Sequence, residues 1–229
     1  MEIMEPWELL QKKMLWGQLE FVQNKRVLDF GSGNGITADY FAVENEVIAI
    51  EPDEEMLRNR FREQEYKQIQ GGLQELNSFE DGFFDVILCH NVLEYAAERE
   101  EIVKEFSRIL KPGGYLSILK HNRAGRVMQM VVLLNNFEHA KELLEGKNGQ
   151  AKQFGAIHYY EDLELLEWSD SFQLQKILGL RTFWDLQQDQ KIQRDIEWQD
   201  KMLQMEKAVS DREEFKAVAF FHHIILKKN

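Results

Sequence analysis

Cysteine is almost missing from this chain: one residue, Cys89, in 229. A single thiol excludes an internal disulfide and any multi-cysteine metal site, and inside an apolar run Cys89 reads as inert. Proline is nearly as scarce, with three residues, and no low-complexity tract or internal repeat is present. Long hydrophobic runs are lacking too. The most apolar internal stretch, VMQMVVLL (127–134), falls far short of the roughly 20 residues that cross a bilayer. The start, MEIMEPWELLQKKM, carries early acids and no continuous apolar segment, so it does not read as a secretory signal. Histidine clusters are absent: His139 and His158 have no second ligand at a useful spacing, and His222 and His223 alternate faces of one strand, so no metal is expected. These absences point to a cytoplasmic protein without membrane contact.

What is present suits one α/β domain over 1–229 with a sizeable core. Basic charge is short overall, at a net −12, but it is unevenly placed. Residues 111–152 hold Lys111, Lys120, Arg123, Arg126, Lys141, Lys147 and Lys152 against three acids, a local +4. That segment reads either as a solvated helical insertion or as a basic surface able to meet a phosphate backbone.

Along 25–120, strand-like and helical patterns alternate, the signature of a parallel sheet with helices on both faces. RVLDF, EVIAIE, YKQIQ, FFDVILCHN and YLSIL read as five strands; ITADYFAV, PDEEMLRNRFRE and EREEIVKEFSRIL read as helices, the last stopping at KPGG. A helix precedes them over 6–23. Residues 123–168 read as mostly helical with no strand-like run. FQLQKILGLRTFW then predicts a strand, DQKIQRDIEWQDKMLQMEKAV a long helix and FKAVAFFHHIIL a final strand.

The stretch VLDFGSGNG is a glycine-rich turn after a strand, where backbone N–H groups approach a ligand without Cβ obstruction. Two classes of ligand suit it, a nicotinamide dinucleotide or S-adenosylmethionine. The dinucleotide pattern G-x-G-x-x-G wants a third small residue where Ile36 stands, and the glycine arrives one position early at Gly35. Glu51, about 20 residues after the first glycine, suits the ribose hydroxyls of either ligand. A lone terminal strand pair is not the second half that a dinucleotide fold requires.

Four stretches in order, VLDFGSGNG, VIAIEPDEEML, FDVILCHNVLEY and ILKPGGYLSIL, resemble the main motifs of class I S-adenosylmethionine-dependent methyltransferases. The resemblance implies a Rossmann-like α/β fold: a seven-stranded, mostly parallel sheet with an antiparallel last strand and helices on both faces. It implies S-adenosyl-L-methionine as donor and S-adenosyl-L-homocysteine as product. By that resemblance Asp29 orients the turn, and Gly31, Ser32 and Gly33 cradle the methionine moiety. Glu51 holds the ribose, with Pro52 following. Met56, Leu73 and Gln74 line the adenine, and His90 and Asn91 flank the methionine tail. The chain would then divide into an N-terminal helix (1–24), a donor-binding core (25–120), a helical lid or substrate insertion (121–168) and a C-terminal strand–helix–strand (169–229).

LCHNVLEY, KHNRAG, NNFEHA, GLRTFWD and LQMEKAV resemble, over nearly the whole chain, the tRNA 5-carboxymethoxyuridine methyltransferase group. This implies methylation of a carboxylate on a modified wobble uridine by in-line displacement. A carboxylate is ionised at neutral pH, so no general base is required. Arg181, a bidentate partner for a carboxylate, joins Asn122 and Arg123 as substrate candidates, and His121 is a candidate base. Phe137, Phe154, Tyr159 and Tyr160 could stack on an exposed base. An arginine of that group corresponds to Gln11 here. The competing readings are a methyltransferase of a small carboxylic acid, amine or hydroxyl metabolite, a NAD-linked oxidoreductase, and a non-catalytic adenosylmethionine-binding module.

Overall fold

A computed structural model describes residues 4–151 and 155–229. The chain enters through α1 (Pro6–Gln18) and then alternates: β1 (Arg26–Phe30), α2 (Ile36–Ala42), β2 (Glu46–Glu51), α3 (Glu54–Arg58), β3 (Lys67–Gln70), α4 (Leu73–Leu76), β4 (Phe84–His90), α5 (Arg99–Ile109) and β5 (Leu110–His121). Beyond it lie α6 (Arg123–Val132), α7 (Phe137–Leu144), β6 (Gly149–Ala151), β7 (Gly155–Ile157), α8 (Glu164–Trp168) and β8 (Phe172–Leu180). The chain ends with α9 (Gln190–Gln193), α10 (Ile196–Val209), α11 (Glu213–Lys216) and β9 (Phe221–Lys228).

Seven strands form one sheet in the order β3-β2-β1-β4-β5-β9-β8. The first five pair in parallel and the last strands run antiparallel, as the sequence predicts. From β1 the chain winds outward to β2 and β3, then returns to lay β4 on the other side of β1. The crevice beyond the carboxyl ends of β1 and β4 is therefore the switch point of the winding, where open α/β sheets bind ligands.

By proximity along the backbone the residues divide into two compact units: Phe21–Lys120, Tyr160–Lys176 and Ile224–Asn229 in one, Met1–Glu20, His121–Tyr159 and Ile177–His223 in the other. The expected donor core, 25–120, falls inside the first. The expected insertion, 121–168, is shared out between the two.

In the first unit Val27–Phe30, Val47–Ile50 and Val86–Cys89 are all buried, as strands covered on both faces must be. α5 presents Ile102, Val103, Phe106 and Ile109 at helical spacing, and Phe106 meets Phe30 edge-on at 5.2 Å. Truncating Phe106 to alanine removes a fully buried ring, a cost of about 3–5 kcal/mol. The KPGG segment is absorbed into β5 as a bulge: Phe84 pairs with Leu110, while Val86 pairs with Tyr115. In the second unit, Met130, Ala140 and Leu143 seal an α6–α7 hairpin. Gly125 allows the closest approach there, since a Cβ would lie 2.2 Å from the Ala219 carbonyl.

Three expectations need correction. Residues 123–168 do contain strands, the antiparallel hairpin β6–β7, whose three-residue arms are too short to show a period. The long helix expected over 189–209 is broken: Asp195 accepts from Trp198 N at 2.7 Å and caps α10 as a separate helix. The final strand begins only at Phe221, because Glu213–Lys216 is helical. Among the described residues no helix is long and apolar enough to cross a membrane.

Candidate functional site

The turn after β1 is built by backbone contacts. Gly31 N and Ser32 N both donate to Ile50 O of β2, at 2.8 and 3.0 Å. Gly31 stands at φ 73°, and a Cβ there would be 2.3 Å from the Val92 side chain, so the end of β4 packs directly on the turn. Gly33, at φ 56°, is different: a Cβ would meet no atom within 4 Å. Gly31 is small because protein fills the space beside it, whereas the space beside Gly33 is open.

Glu51 closes the turn from the next strand. It is 7% exposed, and its Oε2 accepts from Gly33 N at 2.7 Å while Oε1 accepts from Asp53 N at 2.9 Å. The expected ribose acid is thus also the prop of the glycine turn, and each oxygen retains a lone pair for a hydroxyl. Asp53 caps α3 by accepting from Glu55 N and Met56 N, which fixes Met56 one turn beyond Glu51 and Pro52. Leu73 and Gln74 begin α4, where Glu75 accepts from Gly72 N; Gln74 is exposed.

At the end of β4, His90 Nε2 lies 2.8 Å from Ser117 Oγ. Asn91 takes a left-handed backbone (φ 57°), a conformation asparagine tolerates better than most residues, and its N–H donates to Leu119 O at 2.8 Å. Asn91 Oδ1 is buried with no hydrogen-bond partner among the described residues. Asp29 is 3% exposed within β1. Val92, Ser117, Gln68 and Glu75 are the residues that sequence reasoning did not single out. Gln68 Nε2 reaches Ala49 O and Ile69 O at 3.2 Å and Ser32 Oγ at 3.5 Å, bracing the turn from β3. Only Glu75, three residues after Gly72, carried a local signal, the spacing of a capping box.

The substrate candidates belong to the other unit. Asn122 caps α6 by accepting from Ala124 N, and its Nδ2 donates to Ala217 O and Ala219 O at 3.0 and 2.8 Å, so its amide is spent within the fold. Arg123 stacks over Tyr159 at 5.2 Å. His121 sits against the rings of Phe220 and Phe221. Arg181, 8% exposed, donates from Nη2 to Asp185 Oδ1 and from Nη1 to Gln11 Oε1 at 3.3 Å, with Trp7 and Phe220 each 4.9 Å from its guanidinium. The glutamine that replaces the resembled group's arginine is therefore a partner of Arg181, and a neutral amide avoids setting two cations together.

Three of the seven basic residues of 111–152 are paired with acids. Lys111 pairs with Asp85 at 2.7 Å, and buried Lys120 pairs with Asp162 at 2.9 Å. Lys147 pairs with Glu142, while Lys152 lies outside the described residues, as does Phe154. Of the expected stacking aromatics, Tyr160 is core and lies under Lys120, whereas Phe137 is exposed. Burial pushes the Cys89 thiol well up, in keeping with an inert residue. No group of three metal-ligating side chains occurs among the described residues.

A switch-point site with open space at a glycine turn, an acid on the next strand and a buried unpaired carbonyl at Asn91 fits a nucleoside carrying an amino-acid tail. Residues 28–118 match a family described as methyltransferase domain. The protein is an S-adenosylmethionine-dependent methyltransferase, and the nicotinamide reading gives way. Its sequence is 26% identical to tRNA 5-carboxymethoxyuridine methyltransferase of Escherichia coli, over 96% of this chain and 88% of that one. It is 27% identical to ubiquinone biosynthesis O-methyltransferase of Pectobacterium carotovorum, over 68% of this chain and 66% of that one. In fold it is similar to an S-adenosylmethionine-dependent methyltransferase of Mesorhizobium loti, with a TM-score of 0.60 at 14% identity, covering 96% of this chain and all of that one.

Proposed function

We propose that the protein esterifies a carboxylate carried by a modified wobble uridine of tRNA. The observation that carries this reading is the reach of the tRNA-enzyme similarity, which extends over 96% of the chain and so includes the unit outside the donor core. Bound S-adenosylmethionine supplies a methyl group on a sulfonium, already activated for displacement. What remains for the protein is positioning: nucleophile and methyl carbon held about 3 Å apart and in line. Gly31–Gly33, Glu51 and Asn91 hold the donor end. Arg123 and Arg181 are the cations offered to the carboxylate. Arg123 has no acidic partner among the described residues, whereas Arg181 shares its charge with Asp185. A carboxylate needs no base, consistent with His121 lying against two aromatic rings.

The test is mass spectrometry of tRNA nucleosides from cells with and without the gene, followed by methylation of the deficient tRNA by purified protein. Loss and restoration of one methyl ester is expected; unchanged nucleosides refute the reading. A second reading, O-methylation of a small acceptor, is favoured by the acidic partners of Lys111 and Lys120 and the net charge of −12. It is supported also by the similarity to the ubiquinone enzyme. Turnover on a small acid or phenol with none on tRNA would select it.

A further inference from the structure

β3 is the outer strand of the sheet, and along it and β2 runs a groove of about 600 Å³, within the unit that holds the glycine turn. Arg60, Arg62 and Lys67 bring three cations to its lining, against the acids Glu46 and Glu65. Glu46 is engaged with Arg26 at 3.0 Å, and none of the three cations has an ion-pair partner among the described residues. Acids are not scarce in a chain with 40 of them against 28 Lys and Arg. Cations gathered in one groove and left unpaired therefore point to an anion from outside the chain, since a cleft lined by one sign of charge concentrates counter-ions.

The groove is held in shape by the loop between α3 and β3. Phe61 N donates to Asn34 O at 2.8 Å, Gln64 N to Asp39 Oδ1 at 2.8 Å and Tyr66 Oη to Phe61 O at 2.6 Å, which ties the loop to the glycine turn and α2. Arg60 stands over the Tyr66 ring at 5.6 Å, and its Cβ is 3.7 Å from where a Cβ on Gly35 would stand. Arg62 and Lys67 are exposed. Cations on a pinned loop lose less freedom when they meet a ligand. The groove also lies within reach of the reaction. Glu46 lines it and Glu51 closes the glycine turn at the other end of β2, about 17 Å along the strand.

That separation exceeds one nucleoside but lies within a folded RNA, whose other nucleotides must rest somewhere while one is methylated. A protein of net charge −12 needs local positive sites to hold such a polyanion, and phosphate contacts position a nucleic acid without reading its sequence. Arginine forks match phosphate oxygens in pairs, and the lysine adds a point charge. We propose that this groove is a phosphate-docking site that holds the backbone of the acceptor RNA, with Arg62 and Lys67 on phosphate oxygens and Arg60 as the cation beside Gly35. The choice of RNA rests on the proposed tRNA acceptor.

The test measures binding of tRNA from cells lacking the gene to the full chain saturated with S-adenosylhomocysteine, by fluorescence anisotropy over a salt series. Arg62→Gln/Lys67→Gln is expected to weaken tRNA about tenfold and to make the fall of log affinity with log salt shallower by about 1.4–1.8, the share of two phosphate contacts. Its S-adenosylhomocysteine affinity and Tm stay at the parent's values, and Arg62→Lys/Lys67→Arg, which keeps the charge, holds tRNA within threefold of the parent. Lys104→Gln/Lys191→Gln, which removes two exposed cations from α5 and α9, leaves tRNA binding within twofold. Unchanged tRNA binding in Arg62→Gln/Lys67→Gln, an equal loss in Lys104→Gln/Lys191→Gln, or no tRNA binding by the parent overturns the groove. Inorganic phosphate that binds the parent but not Arg62→Gln/Lys67→Gln, while tRNA binds both alike, would assign the groove to a free anion and overturn it too. Methyl transfer to tRNA with no effect of Arg62→Gln/Lys67→Gln would sink the groove and leave the acceptor reading intact. Binding of tRNA that needs Arg62 and Lys67, without any methyl transfer, would keep the groove as an RNA site and refute the acceptor reading.

Discussion

Replacing Glu51 with glutamine separates the bracing role that the structure shows for this acid from the donor-binding role proposed for it. Its oxygens accept from Gly33 N at 2.7 Å and Asp53 N at 2.9 Å, and the side chain is buried. Glutamine is nearly isosteric but has one acceptor oxygen, so one backbone N–H must face an NH2 group. A hydrogen bond to a charged group contributes about 1.5–3 kcal/mol and a neutral one about 1. Losing one charged bond and neutralising the other therefore removes about 2–5 kcal/mol in all, divided between folding and donor binding. Donor affinity is expected to fall 10- to 100-fold, about 1.4–2.8 kcal/mol. Isothermal titration with S-adenosylhomocysteine reads the second share, and urea unfolding of the ligand-free protein reads the first. A folded Glu51→Gln protein that binds within twofold of the parent would refute the reasoning, because the carboxylate would then only brace the turn.

The two glycines of that turn should respond oppositely to alanine. Gly33→Ala pays about 1–2 kcal/mol for its left-handed backbone but clashes with nothing, so the protein folds and loses donor affinity at least tenfold; Gly31→Ala drives a Cβ into Val92 and is expected to yield little folded protein, both read by thermal melts and titration. His223 is fully buried, donating from Nδ1 to Gln18 Oε1, and burial lowers its pKa to about 3 from 6.5. Its contribution is whole above pH 6.5 and is lost as the pH falls towards 3, because only the unfolded chain takes up the proton. At about 1.4 kcal/mol per pH unit the full loss approaches 5 kcal/mol. Urea unfolding at pH 7, 6 and 5 should show that slope, and His223→Gln should flatten it; equal slopes would contradict the assignment. Arg181→Ala leaves the partly buried Asp185 without its cation and is expected to cost about 1–3 kcal/mol in stability, part of which returns in the double variant with Asp185→Ala. Additive losses in that cycle would show the pair to be uncoupled.

Much of the fold around the glycine turn was legible because its signals are local. Hydrophobic runs bounded by glycine or proline mark β1, β2 and β4, and the spacing of Gly31, Gly33 and Glu51 survives any packing detail. The same reading failed where an element is short or a side chain interrupts a period. β6 and β7 have three residues each, and Asp195 divides one apparent helix by hydrogen bonding to its own backbone. The basic segment shows a different limit of local counting. Counting Lys111 and Lys120 as surface charge ignores their acidic partners, Asp85 and Asp162, 26 and 42 residues away.

The order of residues along the chain, by itself, determined the sheet-and-helix alternation, the place of the glycine turn, the acid that follows it and hence the class of donor. These depend on period and spacing, which no distant contact can alter. Tertiary structure alone decided what each side chain does. It made Glu51 a prop of the glycine turn and spent Asn122 on capping a helix. It joined Arg181 to Gln11 across 170 residues. Hydrogen-bond partners and burial are set by which segments meet in space, and that information is distributed over the whole fold.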